Sequence, residues 1–192
     1  LAAAWTGVLA YTFAYYFDFS GYIDMARGIG CLFGVELPVN FDSPYKARNF
    51  ADFWRRWNMT ISRFFSESVF GSIFHFGDGI VKLVFATLAP FLVSGLWHGA
   101  DWHYLAWGVV NGVLVCCANI MTLYRRSLPK PLAVSLTFIA SVLVRVLFDC
   151  NGMVQAAQVY QKLFTPEPWS GFLAGLRSLA ASNWYVLGLQ VV

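Results

Sequence analysis

The stretch from Trp102 to Leu123 contains no Asp, Glu, Lys or Arg. As a helix it would be about 33 Å long, which matches the roughly 30 Å hydrocarbon core of a bilayer. Four other stretches are of the same kind. Ile80 to Trp97 carries only Lys82 near its start and Pro90 in its middle, and Pro131 to Phe148 is interrupted by Arg145. Leu1 to Phe17 reads as the tail of a span, and Phe172 to Val192 as a weaker span diluted by Arg177, Ser182 and Asn183. In hydrocarbon every backbone polar group must be paired within the protein, so these segments are expected to be helices. The fold class that follows is all-α: a polytopic membrane bundle over residues 1–192, read as one membrane domain and as a piece of a longer protein.

Charge supports this reading. Only 12% of the residues are charged and 58% are hydrophobic, where a soluble domain has about 25% and about 45–50%. Eight tryptophans suit the headgroup level of a membrane. A net charge of +3 is too small to call for a nucleic-acid partner. Cys31, Cys116, Cys117 and Cys150 form no CxxC pair, so they read as small hydrophobes, and no metal site is expected.

Residues 40–70 differ in kind, holding Lys46, Arg48, Arg55, Arg56 and Arg63. From Asn49 the pattern predicts one amphipathic, interfacial or re-entrant helix. Asn49 is its N-cap, Asp52 lies in the first turn, and an apolar stripe runs from Phe50 to Phe65. Asp52 and Arg56 are four apart and can pair. Arg125, Arg126 and Lys130 make a second basic cluster. By the positive-inside rule both clusters face the cytoplasm, so the link from His98 to Asp101 lies on the far side or deep in the bundle.

Few residues here can carry chemistry. His98, between Gly95 and Gly99, is an imidazole at membrane depth, where ionisable groups tend to face a cavity. Asn58 borders the apolar stripe, and its amide could orient a carbonyl or hydroxyl. Asp18 and Asp24 do not share a helix face and suit turns or caps. Arg145 has two options, snorkelling to the interface or pairing with Asp149 four residues on. His75 and His103 read as solvated loop histidines. No phosphate loop, nucleophile elbow or HExxH is present.

Several ordered runs together resemble the bacterial membrane-bound O-acyltransferases. They are Tyr16 to Ala26, Asn40-Phe41, Pro44-Tyr45, Asp52-Phe53-Trp54-Arg55-Arg56-Trp57, Gly95-Leu96-Trp97-His98-Gly99-Ala100, Trp102 and Trp107-Gly108. The branch most similar is that of the alginate and peptidoglycan O-acetyltransferase membrane subunits. The resemblance implies that the chain is the C-terminal catalytic part of a tunnelled bundle in the bacterial inner membrane. It implies an acyl thioester donor from the cytoplasm, acyl-coenzyme A or an acyl carrier protein, with no tightly bound cofactor. The acceptor is a hydroxyl of an extracytoplasmic polysaccharide or carrier.

The family's invariant histidine corresponds to His98, the expected general base, and its second polar position corresponds to Asn58. Trp54, Trp57 and Trp97, with Arg55 and Arg56, are expected along the tunnel. The partners implied are membrane lipid, the acyl donor and a soluble extracytoplasmic acyltransferase. Three departures stand out: Asn58 where the alginate branch usually has His, Ser66-Glu67-Ser68 where Arg-Asp-Tyr is common, and Arg145 to Asp149 where Trp-Val-Phe-Phe-Arg is frequent. The competing functions are a non-catalytic scaffold that docks a soluble enzyme and a transporter, since charges within spans also mark permeation paths.

Overall fold

A computed structural model describes residues 1–166, and within them the regular structure is helical. Three helices are long and apolar enough to cross a membrane: α5 (Ile80–His98), α6 (Trp102–Leu123) and α7 (Lys130–Asp149). They match the three central spans read from the sequence. The expected span over Phe172 to Val192 lies outside the described residues.

The first helix corrects the sequence reading. α1 covers Ala2–Leu32 and does not stop at Phe17. Asp18 and Asp24 are therefore interior helical residues, not turn or cap residues, and Asp24 pairs with Arg27 one turn on at 3.4 Å. The stop signal sits further along. Gly34 takes φ +73°, Val35 N–H donates to Gly30 O at 2.9 Å and Gly34 N–H donates to Cys31 O at 3.1 Å. This is a Schellman ending, which a left-handed glycine allows at little cost.

The expected amphipathic helix is broken in two. α2 covers Phe50–Trp54 and α3 covers Met59–Phe65. α2 starts as read: Asn49 Oδ1 accepts from Asp52 N–H at 2.8 Å, and Asp52 pairs with Arg56 at 2.9 Å. The break comes from residues 40–42, which take hydrogen bonds that a continuous helix would keep internal. Asp42 N–H donates to Arg56 O and Met59 N–H to Asn40 O, both at 3.0 Å. The Asn40 side-chain oxygen accepts from Thr60 N–H at 2.9 Å and from Thr60 Oγ1 at 2.6 Å. Between these anchors Asn58 turns left-handed, φ 43° and ψ 58°. Beyond α3 the chain makes a π-helical turn over Ser66–Phe70 and a short α4 (Gly71–Ile73) before α5.

α5 and α6 form a tight hairpin built on glycine. A Cβ on Gly95 would meet Tyr104 O at 2.6 Å, and one on Gly108 would collide with Phe91 O. Without those side chains the two backbones approach closely, which is how helices associate where lipid leaves no hydrophobic drive between them. α7 carries the Arg145–Asp149 pair, so the pairing option holds over snorkelling. α8 (Met153–Phe164) closes the bundle: Trp5 Nε1 donates to Leu163 O at 3.0 Å and Tyr160 OH donates to Leu143 O at 2.8 Å. The core gathers Phe50, Trp107, Val115, Val144, Leu147 and Leu163. Large apolar side chains such as Phe85, Val93, Leu136 and Ile139 point outward, as they must where lipid is the solvent.

Candidate active site

A cavity of about 710 Å³ lies between α2, α3 and the long helices, and both His98 and Asn58 line it. The fold brings them there by different means. His98 is the last residue of α5, where the helix ends ahead of Gly99. Asn58 is carried in by the left-handed turn between α2 and α3. Asparagine tolerates that conformation better than most residues, because its short amide bonds locally.

The His98 ring is held by aromatic edges. It meets Phe148 at 4.8 Å, Trp97 at 4.9 Å and Trp107 at 5.4 Å between centroids. These contacts fix its direction while leaving it accessible. Of the other residues read from the sequence, Trp54, Trp57, Trp97 and Arg55 also line the cavity. Trp57 is buried in a second hydrophobic cluster with Phe53 and Ala47. Trp97 is 66% exposed, so it forms rim more than wall. Arg56 is not among the lining residues. Its guanidinium is bound to Asp52 at 2.9 Å and Asp42 at 3.3 Å, which clamps the break between α2 and α3.

Several residues line the cavity that were not read as lining it in the sequence. Asn111 lies mid-span in α6 and is 1% exposed. Its Nδ2 donates to Trp107 O at 2.8 Å, and its Oδ1 accepts from Trp54 Nε1 at 3.1 Å. An amide in the middle of an otherwise apolar run is a readable signal, since it is costly there without partners. Tyr45 and Arg145 line the same space. Burial pushes the Tyr45 phenol well above its ordinary pKa, and its OH donates to Thr12 O at 3.2 Å.

The electrostatics outside the spans are local. Burial works to raise the Asp52 carboxyl, but the Arg48 amide and the Arg56 guanidinium hold it below the usual range. His103 corrects the sequence reading, being buried in the first turn of α6 instead of solvated in a loop. The cause is the cap: Asp101 Oδ1 accepts from His103 N–H at 3.3 Å and lies 2.9 Å from its Nδ1. That contact holds the Asp101 carboxyl below its ordinary value. His75 lies in the exposed connection before α5, as expected. No cluster of His, Cys, Asp and Glu able to hold a metal occurs among the described residues.

What this arrangement can do is limited and clear. It offers one accessible imidazole, one amide on a fixed turn and aromatic walls able to exclude water from a small reactive group.

Comparison with known proteins points the same way. A family model described as MBOAT, membrane-bound O-acyltransferase family, matches residues 1–148. The chain is 41% identical to the peptidoglycan O-acetyltransferase of Helicobacter pylori over 163 residues, covering 81% of this chain and 30% of that protein. It is 32% identical to the "probable alginate O-acetylase" of Pseudomonas aeruginosa over 191 residues, covering 98% of this chain and 35% of that protein. It is 30% identical to the teichoic acid D-alanyltransferase of Bacillus subtilis over 158 residues, covering 76% of this chain and 40% of that protein. The chain thus spans about a third of the length of the curated relatives it matches.

Proposed function

We propose, since this chain belongs to the membrane-bound O-acyltransferase family, that the protein moves an acyl group from a thioester donor to a hydroxyl acceptor, with His98 as the general base. The observation that carries this reading is the shared cavity: His98 and Asn58 line one space, far apart as they are in sequence. The names of the relatives suggest acetyl as the group and a polysaccharide as the acceptor; that the acceptor lies outside the cytoplasm and the protein in the bacterial inner membrane is part of the same proposal.

The chemistry follows from the groups present. An acceptor hydroxyl is a weak nucleophile until its proton is taken. His98 takes that proton as the oxygen attacks the thioester carbonyl carbon, then returns it to the departing thiolate. A positioned general base contributes about 10²–10⁴-fold. Asn58 does not titrate, so its part is to orient donor or acceptor by hydrogen bonds. The aromatic walls keep water from competing for the thioester. A soluble acyltransferase partner outside the membrane would receive the group where the acceptor is an intermediate carrier.

The experiment compares the full-length protein with His98→Ala for transfer of acetyl from acetyl-coenzyme A. The variant is expected to lose at least about a hundredfold in kcat. Equal rates would sink the assignment and favour a docking scaffold, and binding of a soluble partner that survives the substitution would support that alternative.

A further inference from the structure

The cavity has a cationic wall that the reading above leaves unused. Arg145 and Asp149 sit one turn apart on α7, with Nε to Oδ2 and Nη2 to Oδ1 both 2.8 Å. Their side chains are only 13% and 15% exposed. Replacing a buried ion pair by apolar residues is often neutral or stabilising, so folding alone gives weak reason to keep one here. A guanidinium has five N–H donors in a fixed fork. Asp149 takes one from Nε and one from Nη2, and the Tyr15 side chain takes a third, which leaves two of the five free.

Two further contacts set the direction of that fork. The Tyr15 ring lies 3.3 Å from the guanidinium carbon and fixes its plane. Phe148, on α7, reaches the end of α5: the His98 ring is 4.8 Å from its centroid and the Arg145 guanidinium carbon is 5.0 Å from it. Base and cation therefore rest on one aromatic ring and line one cavity. Asp149 faces only one edge of the guanidinium, so the opposite edge stays electropositive.

We propose that Arg145 is a second catalytic residue of the same transfer, receiving the negative charge that forms on the thioester carbonyl oxygen. The inference rests on the acyl-transfer reading. In the step, the acceptor oxygen bonds to the carbonyl carbon, its proton passes to His98, and the carbonyl π pair moves onto the oxygen facing Arg145. The carbonyl then re-forms, the C–S bond breaks, and the thiolate takes the proton from His98. Nothing is oxidised or reduced. Asp149 is the positioning residue that holds the fork. A preorganised donor at an oxyanion is worth about 10²–10³-fold in kcat.

The experiment uses the full-length protein in detergent with acetyl-coenzyme A as donor, and reads kcat, KM and thermal unfolding together. The double variant Arg145→Met with Asp149→Leu removes both charges. It is expected to unfold near the wild-type temperature, to lose about 10²–10³-fold in kcat, and to keep KM for the donor within about threefold, since the oxyanion exists only in the transition state. Asp149→Asn keeps the cation and is expected to retain at least about a tenth of kcat. Should the double variant not fold, the neutral pair Arg145→Gln with Asp149→Asn is judged by the same criterion. A folded double or neutral variant with kcat within about threefold of wild type overturns the inference, leaving the pair as a structural tie between α7 and α1. His98→Ala is measured alongside. If it turns over as fast as wild type, or wild type does not turn over acetyl-coenzyme A, acyl transfer itself falls and this inference with it.

Discussion

Asn58 shows how much one residue's backbone decides. Its left-handed conformation costs most L-residues roughly 1–2 kcal/mol and glycine almost nothing. Asn58→Gly is therefore expected to unfold close to wild type, while Asn58→Val loses about 1–2 kcal/mol in stability. Both are expected to lose transfer activity, because both lack the amide. Thermal unfolding beside kcat separates the backbone effect from the amide effect, and full activity in Asn58→Gly would remove the side chain from the site.

Asp52 gives a pH dependence with a definite sign. Its carboxyl is held below the ordinary value of 3.8 in the folded state. Its contribution is thus fully present above that value and is lost as pH falls through the lower folded one. Asp52→Asn is expected to cost about 0.5–1 kcal/mol at pH 7, a partly exposed pair being worth little more. The gap to wild type should begin to shrink as pH falls below 3.8 and close only below the lower folded value, as followed by thermal unfolding in detergent. A constant gap across that range would mean that the carboxylate charge is not what matters.

At the scale of elements, the α5–α6 hairpin is the most demanding contact. A Cβ at Gly108 would strike the backbone carbonyl of Phe91, which cannot swing away as a side chain can. Gly108→Ala is expected to cost about 1–3 kcal/mol and to lower the unfolding temperature, whereas Ala at Gly7, which has open space around it, should not. Small residues inside an apolar run mark close-contact positions, and the glycines at 108 and 112 carry that signal in the sequence of α6. The break between α2 and α3 was not legible there. The stripe from Phe50 to Phe65 fits helical spacing throughout, and what interrupts it is Asn40, eighteen residues before Asn58 and invisible to any local pattern. His103 was missed for a related reason: its burial follows from the cap that Asp101 makes, and loop or helix depends there on a single hydrogen bond. The length of α1 could have been read from Gly34, but Asp18 and Asp24 look like breakers to anyone expecting a span to end.

For the whole molecule, apolar length and charge gave the three central spans correctly, since hydrocarbon thickness is a hard constraint. Membrane depth marked His98 as a cavity residue, whereas its sharing of one site with Asn58 was legible only through family resemblance. Asn111 and Arg145 needed the packed bundle, although a polar side chain at membrane depth marked each in advance. The hairpin also predicts topology. The His98–Asp101 link and the Arg125–Arg126 turn lie at opposite ends of α6, so they should face opposite sides of the membrane. In a background without native cysteines, Ala100→Cys and Ser127→Cys should react with a membrane-impermeant maleimide from opposite sides of sealed vesicles. Labelling from the same side would rule out α6 as a span.

The Trp54–Asn111 hydrogen bond has a consequence for biogenesis. Residue 54 leaves the ribosome long before residue 111, yet the Asn111 side-chain oxygen finds this indole partner only after α6 is in place. Until then that oxygen faces hydrocarbon unpartnered, at a cost of order 1–3 kcal/mol. The docking of α2 onto α6 therefore has to follow the synthesis of residue 111, and the wall that α7 adds to the cavity follows later still.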